Sequence, residues 1–169
     1  MPNKNIVNVI TDTVRIDYVH VFEPQQGQNG GEPRYSCRIM IPKNSPTVKA
    51  IKDACEEVRK NSAAIFGGKI PASLPNMLHD GDGEKPNGGE YEPQCRGCYV
   101  INANSKKRPK VVDRHLDFID DEEEFYPGCY CRVDLNIVAF NVNGNKGFKA
   151  YLNSIQKVRI VFDENGTYT

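Results

Sequence analysis

Gly128-Cys-Tyr-Cys-Arg-Val-Asp-Leu-Asn-Ile-Val138 is the most regular stretch of the chain. Cys129, Cys131, Val133, Leu135 and Ile137 share one face; Tyr130, Arg132, Asp134, Asn136 and Val138 share the other. Successive side chains of a strand point to opposite sides, so this alternation predicts a strand with one buried and one exposed face. On its C-terminal side Asn141–Gly147 (NVNGNKG) is a turn cluster, followed by strand candidates at Phe148–Leu152 and Ser154–Phe162. On its N-terminal side lie the acidic run Asp120–Glu124 (DDEEE), the apolar Val111-Val112, the basic segment Asn104–Lys110 (NSKKRPK) and a strand at Cys98–Ala103.

The first half of the chain carries the same signal. In Arg34–Ile41, Tyr35, Cys37, Ile39 and Ile41 alternate with Arg34, Ser36, Arg38 and Met40. Val7–Phe22 alternates less cleanly, with Val14, Ile16 and Tyr18 opposed to Arg15, Asp17 and Val19. The Gly-rich Pro24–Pro33 (PQQGQNGGEP) has no means of packing itself and reads as a mobile loop, so the two segments form a long antiparallel hairpin. Ser45-Pro46 is a helix start, an N-cap followed by a proline at the first helical position. Val48, Ile51, Ala54, Cys55 and Val58 continue at helical spacing, and the helix ends before Gly67-Gly68. Leu78–Pro93 is a second long polar loop. The pattern predicts a mainly β domain over residues 1–169: a five-stranded antiparallel barrel with one packed helix and long loops.

Composition narrows the function. The 169 residues carry 22 Lys+Arg against 22 Asp+Glu, a formal net charge of zero. That excludes a polybasic binder but permits local patches. Apolar runs such as Cys98–Ile101 and Ile137–Phe140 fall far short of the ~18–20 residues of a membrane span. No apolar segment follows the N-terminal Met-Pro-Asn-Lys-Asn, so no secretory signal is expected and the six Cys read as reduced cytosolic thiols.

Few residues point to reaction chemistry. Cys95 and Cys98 have zinc-like spacing, and with Cys129 and Cys131 they form a candidate four-thiolate site. The competing reading, which the alternation favours, is buried core thiols. Asp80, Asp82 and Glu84 beside His79 have part of a calcium-loop spacing without the rest of its pattern, and read as a solvated turn. The acidic run reads as a solvated, self-repelling stretch, or as the border of a nucleic-acid face. No catalytic motif is present, and neither a catalytic residue nor a cofactor is expected. What remains is basic and aromatic residues interleaved on strands: Arg34 with Arg38, Lys106-Lys107-Arg108 with Lys110, Tyr130 with Arg132, and Lys146, Phe148, Lys149 and Tyr151. Single-stranded nucleic acid needs cations along its backbone and aromatic faces for its bases, and small barrels recurrently supply both.

Six blocks in order extend a resemblance over nearly the whole chain. They are Tyr18–Pro24 (YVHVFEP), Tyr35–Lys43 (YSCRIMIPK), Leu78–Asp82 (LHDGD), Val100–Asp113 (VINANSKKRPKVVD), Glu124–Arg132 (EFYPGCYCR) and Gly144–Val158 (GNKGFKAYLNSIQKV). The chain resembles a family of phage single-stranded DNA-binding proteins with an OB-fold, and is similar in role to those of short-tailed phages. The resemblance implies a non-enzymatic protein that coats single-stranded DNA during phage replication or recombination, in the cytoplasm of a bacterial host. Phage replication proteins are implied as further partners, a membrane is not, and the oligomeric state stays open. On this reading Arg34, Arg38, Lys106, Lys107, Arg108, Lys110, Arg132 and Lys149 neutralise phosphates, while Tyr99, Tyr130, Phe148 and Tyr151 offer stacking surfaces. The two long loops close over the strand at an ordering cost. Such proteins commonly end in an acidic tail that recruits partners; Phe162–Thr169 (FDENGTYT) departs from that pattern, with only Asp163 and Glu164 acidic. Two other readings remain: a protein-interaction module in virion assembly on the same barrel, and a domain stabilised by zinc at the four paired cysteines.

Overall fold

The computed structural model describes residues 5–27 and 31–158. Gln28–Gly30 of the first polar loop and the stretch 159–169 lie outside the described residues, and so does the acidic pair near the C-terminus. Among the described residues, eight strands and one α-helix follow in the order β1 (Ile6–Ile10), β2 (Val14–Gln25), β3 (Arg34–Pro42), α1 (Pro46–Lys60), β4 (His79–Asp80), β5 (Cys98–Ser105), β6 (Lys110–Val112), β7 (Tyr130–Val142) and β8 (Asn145–Lys157). Among the described residues no helix is long and apolar enough to cross a membrane.

Five strands close a ring. β2 pairs β3, β3 pairs β5, β5 pairs β8, β8 pairs β7, and β7 returns to β2 through Val14–Cys131 and Arg15–Tyr130. β1 is added to β7, β6 to β8 and β4 to β5. The expected five-stranded barrel is therefore present, with one correction: the β5–β8 seam is parallel, at Ala103–Ala150 and Asn104–Tyr151. β7 and β8 form a hairpin through Asn143-Gly144, both at positive φ, as a two-residue turn demands. Closing the ring then brings β8 beside β5 in the same direction.

The alternation in β7 holds. Cys131, Val133, Leu135 and Ile137 are buried against Ile155, Leu152 and Ala150 of β8, and Cys37, Ile39 and Ile41 of β3 line the same core. A bulge at Asn153, where the pairing skips from Asp134–Ser154 to Leu135–Leu152, keeps β8 in phase along its length. Ser45 caps α1 by accepting from the Thr47 N–H, and Val48, Ile51, Ala54 and Val58 face the barrel beside β1 and β7. Fully burying such an aliphatic side chain is worth roughly 1.5–3 kcal/mol, ample to hold the helix there.

Val7–Phe22 is two strands rather than one. Thr11, wholly buried, ends β1: its N–H donates to the Val133 carbonyl, its Oγ1 accepts from the Val133 N–H (both 2.9 Å), and the next N–H, of Asp12, donates to Thr47 Oγ1 of α1 (2.8 Å). A register slip between Asp17 and His20 then puts Tyr18 at φ 48° and turns it outward, while Ile16 and Val21 remain in the core. The tyrosine therefore does not share the face of Val14 and Ile16.

The polar 78–93 segment is not a free loop. Its Asp80 and Asp82 carboxylates close on Lys43 at 2.7 and 2.8 Å, which holds both below the ordinary carboxylate range. Asp82 also accepts from the Gly97 N–H. Gly81 runs so close beneath residue 95 that a Cβ there would meet the Cys95 carbonyl oxygen at 2.1 Å. The segment thereby covers the outer side of β3 and β5, where Met40, Tyr91, Cys95 and Val100 form a second apolar cluster.

Candidate nucleic-acid interface

The two cysteine pairs do not meet in one site. Cys95 and Cys98 belong to the small outer cluster; Cys129 and Cys131 belong to the main core. Burial raises the thiols of Cys95, Cys98 and Cys131 above their ordinary value and pushes Cys37 up to about 12. Because the two pairs pack in separate clusters, the four-cysteine site is not assembled, and the core-thiol reading replaces it.

The predicted site residues separate into three groups. The first lies on the outer face of the barrel around the parallel seam. Tyr151 sits opposite Asn104 of β5 on one side and Asn136 of β7 on the other. Arg34, at the start of β3, donates to Asn104 Oδ1 at 2.9 Å. Lys149 lies on the same face as Tyr151, with Nζ 5.0 Å from the Phe140 ring centroid. Lys110 pairs with Ser154, and Arg132, opposite Gln156, donates to the Thr11 carbonyl. The loop from Lys106 to Arg108 rims this face. Lys106 reaches Glu32 (3.2 Å), Arg108 reaches Asp120 (3.0 Å) and lies over the Phe22 ring, and Lys107 is exposed. Among the described residues Arg34, Lys107, Lys110, Arg132 and Lys149 form no ion pair.

The second group lies elsewhere on the outer face. Tyr130 stands under the Arg15 guanidinium, 5.2 Å from ring centroid to Cζ. Arg38 is only 7% exposed. Its Nε and Nη2 hold the two oxygens of Asp17 at 2.8 and 2.7 Å, and its Nη1 pairs with Glu92 at 2.8 Å. The Asp17 hydrogen bonds raise Arg38 further above its ordinary value. This cation is spent inside the protein and is removed from the phosphate contacts.

The third group points inward. Tyr99 is in phase with Ile101 and Ala103 and packs on the main core, with Lys43 and Lys52 near its ring on the α1 side. Phe148 is in phase with Ala150 and Leu152 and also packs on the core. Its edge nevertheless lines a cleft of about 250 Å³ beside the seam, shared with His79, Asn102, Phe140 and Lys146. Tyr99 thus leaves the set of stacking surfaces, and Phe148 contributes only a wall.

Several residues lie outside the sequence-based set: Asn102, Asn104 and Phe140 beside the seam, and Arg15 over Tyr130. The asparagines carry no charge or aromatic signature; Asn104 is marked only by its register beside Tyr151, and Asn102, opposite Arg38, only by its place in the cleft. Phe140 covers Gly147 so closely that a Cβ there would lie 3.0 Å from the ring, which fixes the ring beneath Lys149.

Comparison with known proteins agrees with this geometry. The family described as Enterobacter phage Enc34, ssDNA-binding protein matches residues 7–160. Protein p50 of Acyrthosiphon pisum secondary endosymbiont phage 1 is 28% identical over 162 residues, spanning 88% of this chain and 81% of its own. The single-stranded DNA-binding protein from bacteriophage Enc34, solved in complex with ssDNA, is similar with a TM-score of 0.68 at 28% identity, over 93% of this chain and 92% of that one. The single-stranded DNA binding protein encoded by bacteriophage T7 shares the fold, with a TM-score of 0.60 at 16% identity over 92% and 93% of the two chains. The closed five-strand ring, its parallel seam and the extent of the family match lead to one assignment: this chain belongs to the Enc34 phage ssDNA-binding protein family and has its OB-fold.

Proposed function

We propose that the chain binds single-stranded DNA with little sequence preference, acting by coverage and not by catalysis. The observation that carries this is the outer face at the β5–β8 seam: Tyr151 stands beside the Asn104 amide, which Arg34 holds, with Lys149 two residues before it on β8, Lys110 and Arg132 farther along β6 and β7, and Lys107 on the exposed rim. Cations with no carboxylate partner among the described residues can displace counterions from phosphates, and an aromatic among amides accepts any base by stacking and edge contacts. The family relation supports the same reading, since the Enc34 relative is solved with ssDNA. The 1–169 chain works as one OB-fold unit in phage DNA replication or recombination, in the host cytoplasm, with phage replication proteins as further contacts.

The test is fluorescence anisotropy of a labelled ~30-nucleotide oligo-dT against a duplex of equal length, across a salt series. Each phosphate contact on a single strand contributes about −0.7 to the slope of log K against log salt, so the five cations set a slope of roughly −3.5. Absence of binding at low salt would sink the proposal.

A further inference from the structure

Tyr18 has three properties that alternation does not explain together. It is 56% exposed, although it follows Asp17 in a buried part of β2. Its φ of 48° places a bulky residue in the left-handed region, a conformation retained only where surrounding structure enforces it. Its ring lies over a guanidinium, with Arg38 Cζ 4.6 Å from the centroid. That guanidinium is fixed from two sides, by both oxygens of Asp17 and by Glu92. Those carboxylates are fixed in turn, Asp17 by Gln94 (3.1 Å) and Glu92 by Lys85 (2.8 Å). The Tyr18 hydroxyl closes the set on Glu92 at 3.3 Å. A buried ionic network thus braces one face of an exposed aromatic ring.

The geometry points to Tyr18 as a preorganised stacking platform for a nucleobase, with Arg38 as its positioning residue. The inference rests on the single-stranded DNA reading above and adds a base subsite on β2, away from the β5–β8 seam. A ring whose inner face lies on a fixed cation loses little freedom when a base covers its outer face, so the ordering cost of the contact is already met in the free protein. A structural clasp needs only the hydroxyl contact with Glu92; it does not need the ring exposed or the cation beneath it. Stacking tolerates every base, which suits binding without sequence preference.

The chain contains no tryptophan, so Tyr18→Trp creates a single tryptophan at the platform, excited selectively at the red edge where the remaining tyrosines do not absorb. Titrated with oligo-dT, this variant should lose emission as bases stack; an abasic strand of equal length should bind without that quench. Tyr18→Phe should keep wild-type affinity, and Tyr18→Leu should weaken oligo-dT binding about five- to 150-fold while leaving abasic binding unchanged. Melting temperatures of the variants separate binding from folding. The platform is overturned if labelled oligo-dT saturates the Trp variant with its emission unmoved, or if Tyr18→Leu and wild type bind oligo-dT equally. Binding of oligo-dT with those negative results leaves the functional reading standing. Failure of wild-type protein to bind any single strand overturns both.

Discussion

Replacing Arg38 by methionine separates its two possible roles, phosphate ligand and internal brace. The structure assigns it the second: its guanidinium makes two hydrogen bonds of 2.7–2.8 Å to Asp17 and one ion pair to Glu92, under the cover of the 81–97 segment. Glu92 keeps Lys85 when Arg38 is lost, but Asp17, itself only 7% exposed, keeps just the Gln94 amide. Removing one partner of a buried pair leaves an uncompensated charge and typically costs 3–5 kcal/mol. At about 2–4 °C per kcal/mol for a chain of this size, Arg38→Met should lower Tm by roughly 6–20 °C. Urea denaturation supplies the free energy, and the double variant Arg38→Met/Asp17→Leu should recover part of it through a coupling of roughly 0.5–3 kcal/mol. In oligo-dT titrations the single variant should bind more weakly through the loss of the Tyr18 brace, yet keep the wild-type salt slope, because no phosphate contact has gone. A loss below about 1 kcal/mol together with a slope shallower by about 0.7 would refute this, since that pair of results describes a solvent-facing phosphate ligand.

Lys107→Ala and Lys149→Ala should do the reverse: each makes the log-log salt slope shallower by about 0.7, additively, with stability unchanged to within roughly 0.5 kcal/mol by urea denaturation. Gly81→Ala forces a Cβ to within 2.1 Å of the Cys95 carbonyl oxygen, so it should lower stability by about 1–3 kcal/mol, and a variant as stable as wild type would contradict that close approach. Glu92 is held at about 2, below its ordinary 4.5, chiefly by the hydrogen bond from Lys85 and also by Arg38. A depressed carboxylate contributes stability that is complete above pH 4.5 and is lost as pH falls toward 2. The Tm of wild type should therefore fall across that window more steeply than that of Glu92→Gln; parallel curves would deny Glu92 this role.

The parts of the fold legible in the sequence are those governed by short-range pattern. β7 alternates without interruption, so its inner and outer residues are read correctly, and Ser45-Pro46 marks the start of α1 because capping is local. Inward placement is also legible for Tyr99, in phase with Ile101 and Ala103, and for Phe148, in phase with Ala150 and Leu152; where an aromatic shares the phase of the apolar face, it packs on the core. Other features depend on contacts remote in sequence. Thr11 ends β1 because of Val133 and Thr47, and the bulge at Tyr18 reverses the count along β2. Arg38 is indeed on an outward face, but a segment more than forty residues later folds over that face. Alternation says which way a side chain leaves its strand. It does not say what covers it.

The same distinction resolves the zero net charge. A binder of polyanions with as many acids as bases must separate them in space, and the ion pairs show how. Asp17 and Glu92 are engaged by Arg38 and Lys85, Asp80 and Asp82 by Lys43, and Asp53 and Glu56 by Lys49 and Arg59 on the helix. On the seam face Asp134 is the carboxylate between Arg132 and Asn136, and it accepts from the Asn8 and Asn153 amides. The exposed 120–124 run touches the basic rim at Asp120–Arg108, where it neutralises one cation and sets a limit to the face. The cations on the seam face that form no ion pair among the described residues, Arg34, Lys107, Lys110, Arg132 and Lys149, are the ones left for a polyanion, and it is local charge, not net charge, that concentrates a polyanion at a surface. Converting Asp120 to asparagine tests this arrangement: it frees Arg108 and should steepen the salt slope by about 0.7 if phosphates reach the rim, whereas an unchanged slope would confine the strand to the face inside it.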